Sequence, residues 1–189
     1  MKPNKTNRRV PQFLRTTYSV VAATALAVPV VAAGLKVDNP DFESGNLQGW
    51  RVSQHAGPKA YHFSAEAEPG GAKNKAARVV QHKAQFFGAL TQTIKIPATP
   101  AKYRVSARMR SVDATDRGWV LGATAHSESG RYMNSVEAPP LRGTTPWQHV
   151  SLDLAVDAGA TSLSISAALG ASGKAEGWLD DVQIEVIEP

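Results

Sequence analysis

The side chains best equipped for chemistry in this chain are flat, cationic or amide-bearing rather than nucleophilic. Trp119 opens an apolar run straight after the polar stretch Asp113 to Gly118, and Tyr132 follows a few residues on. Gln92, Arg108, Arg110, His126 and Arg131 fall on the polar sides of the stretches around them. An aromatic face stacks on the polarised C–H edges of a sugar ring, and flanking polar groups bind its hydroxyls. These seven residues are therefore the candidate ligand contacts, with Tyr61 and His62 as a candidate rim. Several arginines on one face suit an anionic sugar, although a charged face is more often simply solvated.

Catalytic chemistry finds less support. The sequence has no Gly-x-Ser-x-Gly elbow, no His-Glu-x-x-His helix and no glycine-rich phosphate loop. Ser127-Glu128-Ser129-Gly130 reads as turn chemistry, and Asp153 and Asp157 do not form a recognisable glycosidase pair. His126 and Tyr132 are able in principle to serve as base and acid, but no further group completes a site around them. The expectation is a protein that binds and does not catalyse.

The elements that would position these residues are strands. Tyr103, Val105, Ala107 and Met109 alternate with Arg104, Ser106, Arg108 and Arg110, the period-two pattern of a half-buried strand. Ala89 to Ile96, Trp119 to Ala125, Leu152 to Val156, Leu163 to Leu169 and Val182 to Val186 repeat it, and no helical period competes. Turn formers separate them at Glu68-Pro69-Gly70-Gly71, Ala98-Thr99-Pro100, Pro139-Pro140 and Gly170 to Gly173. Short strands at regular spacing predict an all-β, antiparallel sandwich or barrel. Parity in the last strand places Asp180 on the core side with Val182 and Ile184, and an inward carboxylate must be paired, hydrogen-bonded or metal-bound.

The first 33 residues read as a signal peptide. Lys2, Lys5, Arg8, Arg9 and Arg15 form a basic start without an acid, Ser19 to Ala33 is apolar, and Val31-Ala32-Ala33 has the spacing a signal peptidase cuts. Fifteen helical residues span roughly 22 Å, short of the ~30 Å hydrocarbon core. A retained anchor is the alternative, and Arg8-Arg9 echoes a twin-arginine signal. Taking the leader's five bases from the 21 in the chain leaves 16, against 16 acids. Residues 34–189 are therefore neutral, which removes the electrostatic footprint of a nucleic-acid binder. They are expected as one exported domain, periplasmic or extracellular and not embedded in a membrane. With no cysteine in the chain, burial, or burial and a metal ion, must hold it.

Asn39-Pro40-Asp41-Phe42-Glu43-Ser44-Gly45, then Gly49-Trp50, resembles the opening of carbohydrate-binding modules of families four, nine and twenty-two. Gly177-Trp178-Leu179-Asp180-Asp181-Val182 resembles their last strand. Leu90-Thr91-Gln92, Tyr103 to Arg110 and Trp147 to Leu154 match the middle strands in order, so the similarity covers essentially residues 35 to 188. It implies a galactose-binding-like jelly roll of two antiparallel sheets, with Trp50 and Trp178 in the core and Trp147 in the core or at its rim. It further implies a structural calcium ion where the first and last strands meet, held by Glu43 and Asp180. Calcium takes six to eight oxygen ligands, so carbonyls would have to supply the remainder; hydrogen bonding of both carboxylates within the protein is the competing reading. The Gly118-Trp119 strand and the Arg142 to Trp147 approach also resemble sandwich domains fused to bacterial transcription regulators.

Two functions stay open on this reading. One is a glycan- or polysaccharide-binding module with its patch on one sheet face. The other is an exported or envelope interaction domain that docks a protein partner on the same scaffold. An exposed groove bearing Trp119 and Tyr132 would mark the first, and a flat apolar patch of several hundred Å² the second.

Overall fold

The computed structural model describes residues 35–54, 59–70, 73–84 and 87–188, and every regular element among them is a strand. The leader expected over residues 1–33 lies outside the described residues. The strands are β1 (Arg51–Gln54), β2 (Tyr61–Ala67), β3 (Lys75–Gln81), β4 (Gly88–Lys95), β5 (Ala101–Ser127), β6 (Tyr132–Glu137), β7 (Leu141–Val156), β8 (Ala160–Gly170) and β9 (Ala175–Glu188). Every pairing is antiparallel. Their hydrogen-bonded order is β1-β4-β8-β5-β9-β3-β2, with β6 and β7 also joined to β5.

The 27-residue β5 turns one ladder into two layers. Its first half pairs with β7 and β9, and its second half pairs with β8 and β6. The first layer is thus β2-β3-β9-β5-β7 and the second β1-β4-β8-β5-β6. The corner between them is Asp113 to Gly118, which the sequence pattern marks as a turn between two strands. The strand instead continues through it as a series of bulges, which bend and twist a ladder without ending it. Asp113 and Asp116 sit at φ 52° and 51°, a left-handed region that aspartate tolerates better than most residues. Gly118, at φ +80°, has no room for a side chain, because a Cβ there would stand 2.5 Å from the Leu141 carbonyl oxygen.

The inward sides of the two layers share one core. Tyr103, Val105, Ala107 and Met109 of β5 and Leu163, Ile165, Ala167 and Leu169 of β8 are all buried, as their period-two spacing requires. Trp119 is fully buried. It lies against Gly177, where an added Cβ would fall 2.5 Å from the indole ring, and its Nε1–H donates to the Trp178 carbonyl at 2.9 Å. Tyr61 of β2 reaches across to β8, its hydroxyl 3.0 Å from both the Leu169 carbonyl and Gln81 Oε1. Burial pushes the pKa of this phenol up to about 12. Gln81 extends the tie by donating to the Ala171 and Lys83 carbonyls and accepting from the Ala171 N–H. A buried network satisfied in this way ties the two layers together beside the β5 corner, where Leu169 and Gly170 pair with Trp119 and Gly118.

The opening motif packs as a plug. Phe42 is fully buried, with its ring 5.5 Å from that of Trp50, and Trp50 Nε1–H donates to the Asn39 carbonyl. The last strand receives this plug through a bulge: Ala107 of β5 faces two residues of β9, Asp181 and Val182, with Asp181 at φ 50°. The Val182 N–H, displaced from the ladder, donates to the Pro40 carbonyl at 3.0 Å. This bulge also corrects the expected parity of the last strand. Asp180 falls out of phase with Val182 and Ile184 and lies with Trp178 on the outer side of the first layer.

Gly177→Ala should destabilise the fold by about 1–3 kcal/mol, because the new methyl cannot coexist with the Trp119 ring in its present place. Urea unfolding followed by tryptophan fluorescence measures the loss. A variant as stable as the parent would show that the ring is free to shift.

Candidate functional site

The outer faces of the two layers differ in what their polar groups are doing. On the first layer nearly every charge is already paired. Arg104 makes two hydrogen bonds to Asp153, at 2.8 and 3.0 Å, and lies 3.9 Å from Glu185. Arg78 bridges Glu66 and Glu176 and covers the Trp178 ring at 5.1 Å; Lys102 pairs with Glu188. The Arg104 hydrogen bonds lower the Asp153 pKa, and that of Arg78 lowers Glu66. Arg108 reaches Glu68 at 3.0 Å, Asp180 at 3.1 Å and Asp181 at 3.3 Å, with its guanidinium 4.7 Å from the centre of the Trp147 ring. Arg110 stands in register with Trp178 on this same face.

The second layer presents a lattice of small hydroxyls. Its pairings build three transverse rows from β4 across β8 and β5 to β6: Lys95–Ser162–His126–Tyr132, Thr93–Ser164–Thr124–Ser135 and Thr91–Ser166–Gly122–Glu137. Adjacent strands put neighbours in a row ~4.8 Å apart, and successive rows follow at ~6.8 Å along each strand, a spacing on the scale of a sugar ring. Two contacts within the lattice join Thr93 to Ser164, at 3.0 Å, and the Tyr132 hydroxyl to Ser135, at 3.2 Å. One end is closed by Arg117, which pairs with Glu137 and lies over the Phe87 ring at 5.5 Å. That clamp joins the residue before β4 to the end of β6, at the end of the layer where the outward-facing Ala89, Ala168 and Val120 are buried. The other end is open. There Tyr132 is 60% exposed, and an open depression of about 660 Å³ is lined by Ser127, Glu128, Ser129, Arg131 and Gly159.

The seven ligand candidates from the sequence therefore divide. His126, Arg131 and Tyr132 come together at the open end of the second layer. Arg108 and Arg110 lie on the outer face of the other layer, and the ion pairs of Arg108 are structural. Trp119 is not a platform: a fully buried ring offers no face to a ligand. Gln92 is buried as well, and its amide clamps the backbone of Asp38, accepting from the N–H at 2.7 Å and donating to the carbonyl at 2.9 Å. Of the expected rim, Tyr61 is core and His62 is exposed on β2. The residues missed from the sequence are the hydroxyls of β4, β8 and β6. Their signal was the alternation of Ser162, Ser164 and Ser166 with apolar residues, which marks an outward face but not its neighbours.

Glu43 and Asp180, the pair expected to hold calcium, have other partners. Glu43 Oε1 accepts from the Lys75 N–H at 2.7 Å, and the Glu43 carbonyl accepts from Lys75 Nζ at 3.0 Å. Asp180 is 1% exposed. Its Oδ2 accepts from Asn74 and Arg108, and its Oδ1 accepts from the Asp181 N–H. Among the described residues no three His, Cys, Asp or Glu side chains form a group that would hold a metal ion. These donors do not fit a calcium centre, which needs oxygens turned toward one point.

In comparison with known proteins, the sequence matches no family profile and no curated protein. Solved structures do match. The enzymatically active domain of tailspike protein 4 from bacteriophage CBA120 superposes with a TM-score of 0.66 at 15% identity, over 81% of this chain and 21% of that one. A family 61 carbohydrate-binding module in complex with β-1,4-galactotriose gives 0.54 at 22% identity, over 80% and 98% of the two chains. The xylan-binding CBM22-1 domain of Paenibacillus barcinonensis Xyn10C gives 0.53 at 13%, over 79% and 92%. The chain spans about a fifth of the tailspike domain and nearly the whole of the two modules. The fold is therefore the jelly-roll sandwich of carbohydrate-binding modules.

Burial pushes the Asp180 carboxyl from the ordinary 3.8 up to about 7, reinforced by the neighbouring Asp181 charge. A carboxyl with a raised folded pKa stabilises the fold while protonated; this contribution is complete below about pH 4 and is lost as pH rises through 7. The melting temperature of the parent should fall over that window relative to Asp180→Asn, whose side chain does not titrate. Parallel curves for the two proteins would remove Asp180 as the cause.

Proposed function

We propose that this protein is an exported, non-catalytic carbohydrate-binding module that holds a glycan across the outer face of its second layer. The observation that carries the reading is the pairing of an exposed ring, Tyr132, with a floor of outward hydroxyls beside it. A sugar is amphipathic in the same way: its C–H face stacks on the ring while its hydroxyls exchange hydrogen bonds with serines and threonines. The small side chains of the floor leave space for a chain to lie along it, and His126 and Arg131 supply donors beside the ring. The solved modules with this fold, one bound to a galactotriose and one named for xylan binding, support the choice of ligand class. Export rests on the leader of residues 1–33 and agrees with a ligand found outside cells.

Protein docking fits this surface less well. Among the described residues the large exposed apolar side chains are Val52 and Tyr132. They belong to β1 and β6, at opposite edges of the second layer, and so do not join into an apolar patch.

Polysaccharide pull-downs and calorimetry on the mature protein test the proposal, with neutral and acidic glycans in parallel. Tyr132→Ala should weaken binding about tenfold, the loss of roughly one stacking contact. Ser164→Trp, which places a bulky ring on the floor, should abolish binding while leaving the circular dichroism unchanged. The bound polysaccharide should keep its length on incubation. Binding that ignores both substitutions would move the site off this face, and shortened chains would make the protein an enzyme.

A further inference from the structure

We propose that the guanidinium of Arg108 is the resident cation at Asp180 of the last strand, one of the two carboxylates expected to hold calcium, and that the fold is held without a divalent metal. The carboxyl groups of Glu68 and Asp180 are 9% and 1% exposed, and two such groups removed from water in one place ionise together only with a positive charge beside them. Arg108 supplies it from the adjacent strand. Its Nη1 donates to Asp180 Oδ2 and Asp181 Oδ2, and its Nη2 donates to Glu68 Oε1. One planar, always-charged fork thus reaches three carboxylates at once from a fixed spread of donors that a single ammonium nitrogen lacks.

The rest of the site is built for a donor and not for a metal. Asn74 turns its amide nitrogen toward Glu68 Oε1 at 2.7 Å and Asp180 Oδ2 at 2.9 Å. That nitrogen has protons to give and no lone pair for an ion. Trp147 covers the guanidinium at 4.7 Å, an environment that favours a weakly hydrated planar cation. On the far side of Asn74, the Lys75 ammonium takes the Glu43 carbonyl. Each oxygen of the expected calcium pair with a contact here faces a proton donor of the chain itself.

The test is thermal unfolding of the mature protein in millimolar calcium and in EDTA, with Arg108→Ala and Arg108→Lys alongside. The parent should melt within about 1 °C in the two buffers, whereas a resident calcium in hundredfold excess over its Kd would separate them by about 5 °C or more. Arg108→Ala should melt about 5 °C or more below the parent, because it leaves buried carboxylates without their cation. Arg108→Lys should fall between the two, since it keeps the charge and loses the fork. If Arg108→Ala does not fold, the drop in Arg108→Lys decides. A parent stabilised by calcium, or an arginine variant that melts with the parent, would overturn the proposal.

Discussion

β5 must find hydrogen-bond partners on both edges along 27 residues while passing from one layer to the other, and the remaining strands are placed by how it does so. Its two halves recruit four different neighbours, so the position of the corner fixes which strands share a face. Moving the corner by one residue would exchange inward and outward sides in everything that follows, because side chains alternate with a period of two. Two aspartates and a glycine in left-handed conformations hold it where it is. Trp119 follows directly and locks the corner from inside by lying on Gly177 of the opposite layer. The hydroxyl rows of the second layer line up only because the strand leaves this corner in register with β8.

The two faces express two ways of using polar groups on a sheet. On the first layer, charges are paired into ladders that brace neighbouring strands, and their surroundings shift their proton affinities. On the second, uncharged hydroxyls point outward with few contacts among themselves. A surface of the first kind resists a ligand, since binding would have to break ion pairs. A surface of the second kind exchanges water for ligand hydroxyls at little cost.

Much of this was legible in the sequence, and the failures have physical causes. Strict alternation identified the strands that contribute one face to the core, including β4, the first half of β5, β8 and β9. β3 was missed because Lys75-Ala76-Ala77-Arg78 does not alternate: both alanines are buried although they point to opposite sides. β1 and β6 are short edge strands with too few residues to show a period. The parity of Asp180 failed at a bulge, which leaves no mark in composition. Trp119 was misread because a polar stretch before an aromatic residue describes a bulged corner as well as an exposed loop. His126, Arg131 and Tyr132 lie near one another because they sit on one hairpin, where sequence distance and spatial distance agree. The hydroxyl floor needs four strands in register, and no single stretch of sequence contains that.

The alternation of β8 has a bearing on how such a surface changes over time. Leu163, Ile165, Ala167 and Leu169 anchor the core, while Ser162, Ser164 and Ser166, interleaved with them, touch only the outer face. Two independent demands are thus written into one strand at alternate positions. Replacement of a serine by an aromatic, amide or acidic side chain alters the chemistry of the face without entering the packed interior. A lineage built on this strand can change the chemistry of its outer face by single steps that leave the packed interior in place.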